Sequence, residues 1–240
     1  MNFDYSKKLS SFRGLSHAFT TRSSGNLAFH VGDDEKRVLQ NHEDLARTLG
    51  YKREALTYMK QIHSSVVVRV DEGNFETPPT CDALVSDAIG VPLMVMVADC
   101  SPIILYDPTH HAVAVAHAGR AGAFKNILTC TIDLLASEYG TKRSDLVVCV
   151  GSSIKSCCYE VGSEVADEAK ELGFEYALIK RGSKIFLDID AILRSQLEGV
   201  SELEFLPSCT ACADDRYYSY RKDRSCGKGS GRNAGVVWLS

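Results

Sequence analysis

No uninterrupted apolar run in this chain exceeds about eight residues, far short of the roughly 20 that cross a bilayer. The N-terminal stretch MNFDYSKKLSSFRG has no apolar centre of the kind that marks a secretory signal. A cytoplasmic location with no membrane partner is therefore expected. No basic block interleaved with aromatics occurs, and the net charge of −4 gives no reason to expect nucleic-acid or membrane-surface binding. Neither G-x-G-x-x-G nor G-x-x-x-x-G-K-[ST] is present, so Rossmann and P-loop readings have no support. Repeats, low-complexity tracts and Pro/Gly-rich linkers are also missing. A single domain over residues 1–240 follows, of a length that can bury a substantial core.

What is abundant is cysteine, with nine residues in 240. The count is odd and no secretion signal is read, so reduced thiols are expected rather than a disulfide framework. Cys130 (ILTCTIDLL) and Cys149 (DLVVCVG) fit small buried hydrophobes. Cys209 and Cys212 form a CxxC, with Cys226 fourteen residues on. A zinc ribbon needs a second matched pair, and the adjacent Cys157 and Cys158 lack that spacing, so no structural metal is expected. A redox CxxC opens a helix, whereas this one runs into ADDRYYSYRKDR.

Residues 35–49 place apolar or small side chains at Val38, Leu45, Ala46 and Leu49, the spacing of an amphipathic helix that Gly50 would stop. Residues 56–70 look extended. CDALVSD, PLMVMVADC and HAVAVAHA read as three strands, with Asp107-Pro108-Thr109 turning between the last two. FKNILTCTIDLLASEYG is a helix ending at Gly140, DLVVCVGSSI a buried strand, EVGSEVADEAKELGF a helix, and KIFLDIDAILRSQLEGV a strand leading into a helix. NAGVVWLS closes the chain as a strand. Strands in clusters with helices between them predict an α+β fold, a mixed β-sandwich flanked by helices.

Cys100 and His117 each end an apolar run, and His63 sits at the turn of MKQIHSSVVVRV. Two imidazoles and a thiolate suit a metal with one position left open. Their separations rule out a local zinc finger, so only the fold could assemble them; a buried cysteine with two unrelated histidines is the competing reading. His110 and His111 are expected on the surface, and His17, His30 and His42 at the surface or behind the site. The segment Ala118-Gly119-Arg120-Ala121-Gly122, between a strand and a helix, suits an anion.

At this point QIHSS, VADCSPIILYDP, AVAVAHAG, CCYEVG and CTAC…YYSYRKD…GRNAGVVWL resemble the YfiH-like "laccase domain" family, and the opening TTRSSGNLAFHVGDD…NHEDLA is similar too. The match runs in order over nearly the whole chain. It implies the YfiH-like cysteine-hydrolase fold, one zinc held by His63, Cys100 and His117, and a pocket for a purine nucleoside and phosphate. It further implies phosphorolysis of adenosine, inosine, guanosine and methylthioadenosine, with adenosine deamination. Three departures stand out. The family's HAGWRG reads His117-Ala-Gly-Arg-Ala-Gly, its IGPxIGPCCYEVG reads VGSSIKSCCYEVG, and the glycine after the first histidine is Ser64.

Within that frame Asp99 is a candidate acid/base or an orienter of a ligand histidine, and Arg22 and Arg120 are candidates for holding phosphate. One rival is a metal-free cysteine hydrolase with Cys100 as nucleophile and His117 as base. Another is copper-dependent phenol oxidation, for which seven scattered histidines supply few ligands. The third is a non-enzymatic metal-binding protein.

Overall fold

The computed structural model describes residues 1–227 and 229–240. Along the chain run β1 (Phe3–Asp4), β2 (Leu15–Thr20), α1 (Glu35–Leu49), β3 (Val67–Arg69), β4 (Ala83–Ser86), β5 (Leu93–Val97), β6 (Ser101–Asp107) and β7 (Ala112–Ala118). Then come α2 (Arg120–Phe124), α3 (Ile127–Tyr139), β8 (Val147–Val150), β9 (Glu160–Val161), α4 (Ser163–Glu171), β10 (Leu178–Arg181) and β11 (Lys184–Leu187). The chain ends with α5 (Ile189–Gln196), β12 (Glu202–Phe205), α6 (Tyr220–Ser225) and β13 (Asn233–Leu239).

Two sheets pack face to face: a four-stranded one in the order β1-β2-β13-β5 and a six-stranded mixed one in the order β12-β8-β6-β7-β4-β3. Side-chain alternation explains the layering. On β7, Val113 and Val115 point into the space between the sheets, whereas Ala112, Ala114 and Ala116 point outward beneath the helices. Small residues there let α3 lie close. On β6, Ile104 and Tyr106 face the other sheet, and Ile103 and Leu105 face the helical layer. The four-stranded sheet does the same, with Leu93, Val95 and Val237 inward and Met94, Met96, Val236 and Trp238 outward against the core that includes Leu45 of α1. Each buried valine, leucine, isoleucine or methionine among them contributes about 1.5 to 3 kcal/mol of apolar burial. The expected sandwich flanked by helices is what forms.

α1 spans the predicted residues. The Asp34 carboxylate accepts the Arg37 amide N–H at 2.9 Å, and Gly50 closes the helix with φ 84°. Three expectations need correction. Residues 56–70 are not one extended run: only β3 is a strand there, Thr57 and Lys60 make isolated bridges, and the chain turns at His63 with a left-handed backbone. The turn at Asp107 does not join PLMVMVADC to HAVAVAHA. A further strand, β6, lies between them, because the chain bends at Asp99-Cys100 and passes from one sheet to the other. The helix expected from FKNILTCTIDLLASEYG starts only at Ile127, after Asn126 adopts a left-handed φ of 58°. Cys149 is buried as expected, whereas Cys130 is only partly covered.

Candidate metal centre

Register brings the three ligand candidates together. β6 pairs with β7 so that Pro102 lies opposite His117, which puts Cys100, just before β6, next to the imidazole. β4 pairs with β7 and β3 runs parallel to β4, so the loop before β3 carries His63 to the same end. The ligand atoms of His63, Cys100 and His117 all lie within 4.8 Å of one another. The two imidazole rings meet edge-on with centroids 4.8 Å apart.

Asp82, at the entrance to β4, holds this arrangement. It is fully buried, and its carboxylate accepts the amide N–H groups of Ile62, His63 and Ser64 at 3.2, 3.0 and 2.6 Å and the Ser64 hydroxyl at 2.7 Å. These bonds fix the loop where His63 takes a left-handed φ of 58°. The same carboxylate accepts from His117 Nδ1 at 2.8 Å. An ionised carboxylate can only accept, so Nδ1 carries a proton, and Nε2 is the nitrogen that can give up its proton and offer a lone pair to a metal. Burial alone would raise the Asp82 carboxyl, but the His117 and Ser64 hydrogen bonds outweigh it and hold the group well below the usual carboxylate range.

The donor set suits a metal. Burial opposes ionisation of Cys100, yet His117 and His63 bring its thiol down to about 6. Burial likewise opposes a charged His117, and the Cys100 sulfur and Asp82 raise it to about 9. A thiolate and two imidazoles facing one point are borderline-soft donors matched to zinc or copper. The space is reserved for the sulfur, because a Cβ on Gly119 would lie 2.6 Å from Cys100 Sγ. That glycine, read from the sequence as part of an anion loop, is required by the cysteine.

Two cavity lobes meet at Cys100. The larger, about 370 Å³, is lined by Asp99, Cys100, Gly119, Arg120, Ile154, Tyr159, Ile189, Tyr220, Arg221 and Arg224. The smaller, about 250 Å³, is lined by His30, Gln61, His63, Cys100, His117, Tyr220 and Arg232. Arg120 thus stands beside the centre, with its guanidinium paired to Glu168. Arg22 lines neither lobe. It donates to Asp223 at 2.9 Å and to the Tyr217 carbonyl at 3.0 Å, and lies over the Tyr218 ring, because Asp223 is buried and needs a cation.

Asp99 lines the larger lobe but orients no ligand. It sits in the tight turn with φ 86°, outside strand alternation. Its carboxylate accepts the Thr210 hydroxyl at 2.6 Å and the Arg221 amide N–H at 2.7 Å. The orienting part falls to Asp82. His110 and His111 are exposed, while His17 and His42 are buried away from the centre. Sequence reasoning passed over Asp82, Tyr159, Tyr220, Arg221, Arg224 and Arg232. Tyr159, Tyr220, Arg221 and Arg232 lie inside the motifs that carried the resemblance, whereas Asp82 had no signal beyond opening an apolar strand.

A purine nucleoside phosphorylase of Corynebacterium glutamicum is 36% identical over 95% of each chain. One from Streptomyces coelicolor is 35% identical over 94% of this chain and 96% of its own. The solved YfiH protein of Bacillus licheniformis superimposes with a TM-score of 0.87 at 26% identity, over 94% of this chain and 93% of that one. Residues 11–240 match the family described as multi-copper polyphenol oxidoreductase laccase, and the chain belongs to that family.

Proposed function

We propose that this protein is a zinc-dependent purine nucleoside phosphorylase that also deaminates adenosine, with His63, Cys100 and His117 as the metal ligands. The observation that carries this reading is the convergence of the three donors where two cavity lobes meet, one of them rich in arginine. Relatives covering nearly the whole chain bear the phosphorylase name. Adenosine, inosine, guanosine and methylthioadenosine are the proposed substrates.

His63, Cys100 and His117 would hold the zinc, which would supply an electrophile beside the cavity. The protein's own groups do the rest. Ile154, Tyr159, Ile189 and Tyr220 give the larger lobe walls suited to the flat faces of a purine. Arg120, Arg221 and Arg224 on that lobe provide charge for phosphate. In phosphorolysis the bond from the ribose anomeric carbon to the base nitrogen breaks, a phosphate oxygen bonds to that carbon, and the base leaves with a proton. In deamination water replaces the adenine amino group, which departs as ammonia. Asp82 keeps His117 in the tautomer that can act as a ligand, and Gly119 keeps Cys100 unobstructed.

One observation favours a second reading. Asp82, His117 and Cys100 form a connected acid–base–thiol row of the kind used in cysteine hydrolases. Such a row needs one histidine, and His63 meets the same sulfur, which favours a metal. The test is to quantify bound metal and incubate the protein with adenosine or inosine, with and without phosphate. Free base and ribose 1-phosphate formed only with phosphate support phosphorolysis, and inosine formed from adenosine in either condition supports deamination. Activity that survives chelation in metal-free protein would establish the hydrolase reading instead.

A further inference from the structure

The sequence places Cys157-Cys158 and Cys209-x-x-Cys212 more than fifty residues apart, and the fold brings them to one place. β8 and β12 run side by side in parallel, from Val147 opposite Glu202 to Val150 opposite Phe205. The chains leaving them stay paired through a bridge between Ser153 and Cys209. The Thr210 amide N–H donates to the Ser153 carbonyl at 3.1 Å, and the Cys158 amide N–H to the Lys155 carbonyl at 2.9 Å. All four sulfurs then lie within 4.8 Å of one another, with Cys157 Sγ 3.7 Å from Cys158 Sγ and 3.9 Å from Cys212 Sγ.

We propose that Cys157, Cys158, Cys209 and Cys212 bind one zinc ion as a closed tetrathiolate site, separate from the centre at His63, Cys100 and His117. A tetrahedron with zinc–sulfur arms near 2.3 Å has edges of about 3.8 Å, which is the spacing of the close sulfur pairs here. A disulfide needs about 2.05 Å between two sulfurs and leaves the other two thiols without purpose. The loops also supply what metal-bound sulfur needs. The Lys155 amide N–H donates to Cys209 Sγ at 3.4 Å, and amides of Ala211 and Cys212 point to the same atom. Cys209 is buried at the base, whereas Cys157 and Cys212 are exposed and give the ion a way in.

Four donors leave no open position, so the ion is structural. It clasps two loops that build the larger lobe. Thr210, next to Cys209, donates to Asp99, and Tyr159, next to Cys158, lines the lobe. The adjacent cysteines do not have CxxC spacing, but their two sulfurs point the same way, so the pair serves as one half of the site.

The experiment uses the full-length protein, produced with zinc and kept reduced, with zinc counted by elemental analysis and native mass spectrometry. The double variant Cys157→Ser/Cys158→Ser is expected to carry one zinc fewer than the parent, whatever the other centre holds. His63→Ala/Cys100→Ala empties that other centre, and this variant loaded with cobalt(II) is expected to show the visible spectrum of tetrahedral cobalt with four thiolates. That second reading stands even if the serine variant fails to fold, and it is independent of the proposed reaction. An unchanged zinc count in a folded serine variant would overturn the site. So would a cobalt spectrum without thiolate bands, or peptide mapping that finds a disulfide among the four cysteines in reduced protein.

Discussion

The two sulfur-bearing clusters in this protein are built by opposite means. At His63, Cys100 and His117 the donors gather at one end of the central strands β6 and β7 and in the loop before β3, and one buried carboxylate, Asp82, holds both the loop of one histidine and the ring of another. At Cys157, Cys158, Cys209 and Cys212 the donors sit on two loops, with backbone amides doing the positioning. Three donors beside a cavity leave room for a substrate, whereas four donors without a cavity do not. On the two readings proposed above, the first cluster is the reactive one and the second holds two loops together.

The sharpest way to break that contrast is to delete one ligand. Cys100→Ala should lose the metal of the first centre and reduce turnover by roughly a thousandfold or more, since metal polarisation is worth several kcal/mol. The four-cysteine cluster should keep its zinc. Metal analysis and steady-state assays on the same sample check both halves, and retained turnover would mean that the chemistry lies elsewhere.

Asp82→Asn comes next. An amide can still accept from the loop N–H groups but no longer favours the required His117 tautomer. Zinc affinity at the first centre should fall about 10- to 100-fold, measured by competition with a chelating dye, with the zinc of the other cluster unaffected.

Arginine sets up a smaller comparison. Arg120→Gln should raise the phosphate KM roughly 5- to 30-fold, the equivalent of about 1 to 2 kcal/mol of lost charge-assisted bonding, with less change in kcat. Arg22→Gln should leave the phosphate KM alone and lower thermal stability, because it strands the buried Asp223 carboxylate. Equal effects on KM would erase the distinction drawn from their positions.

A further effect lies away from both clusters. Burial pushes His42 and His17 down to about 4. In the unfolded chain imidazole titrates near 6.5, so between that value and about 4 the unfolded state takes up protons that the folded state refuses. Stability is therefore full above pH 6.5 and falls as the pH drops through this window, by roughly 2 to 3 kcal/mol per histidine. His42 Nε2 bonds the Leu27 carbonyl at 2.8 Å, and its Nδ1 has no partner to receive a second proton. Denaturant titrations from pH 7 to 4 should show the loss, and His42→Gln should flatten part of it.

Much of this was legible in local pattern. The spacing of Val38, Leu45 and Ala46 with Gly50 marked α1, and the alternation of valine and alanine in Ala112–Ala118 marked a strand buried on both faces. β6 escaped because its start is set by the turn at Asp99, whose left-handed backbone is secured by Thr210 and Arg221, over a hundred residues away. Asp82 escaped for a similar reason: its partners at residues 62–64 and 117 meet only after β3, β4 and β7 align. The adjacent cysteines lack CxxC spacing, yet parallel pairing of β8 with β12 brings them beside Cys209 and Cys212, a juxtaposition that spacing along the chain does not reveal. Residues that act through distant partners leave no periodic trace in the chain.

The most direct test of the central claim is a zinc titration of metal-depleted protein, following phosphate-dependent release of hypoxanthine from inosine. Activity should be absent at the start, rise with added zinc, and stay absent in His63→Ala/Cys100→Ala at every zinc level. Full activity in the depleted protein, or in that variant, would contradict it.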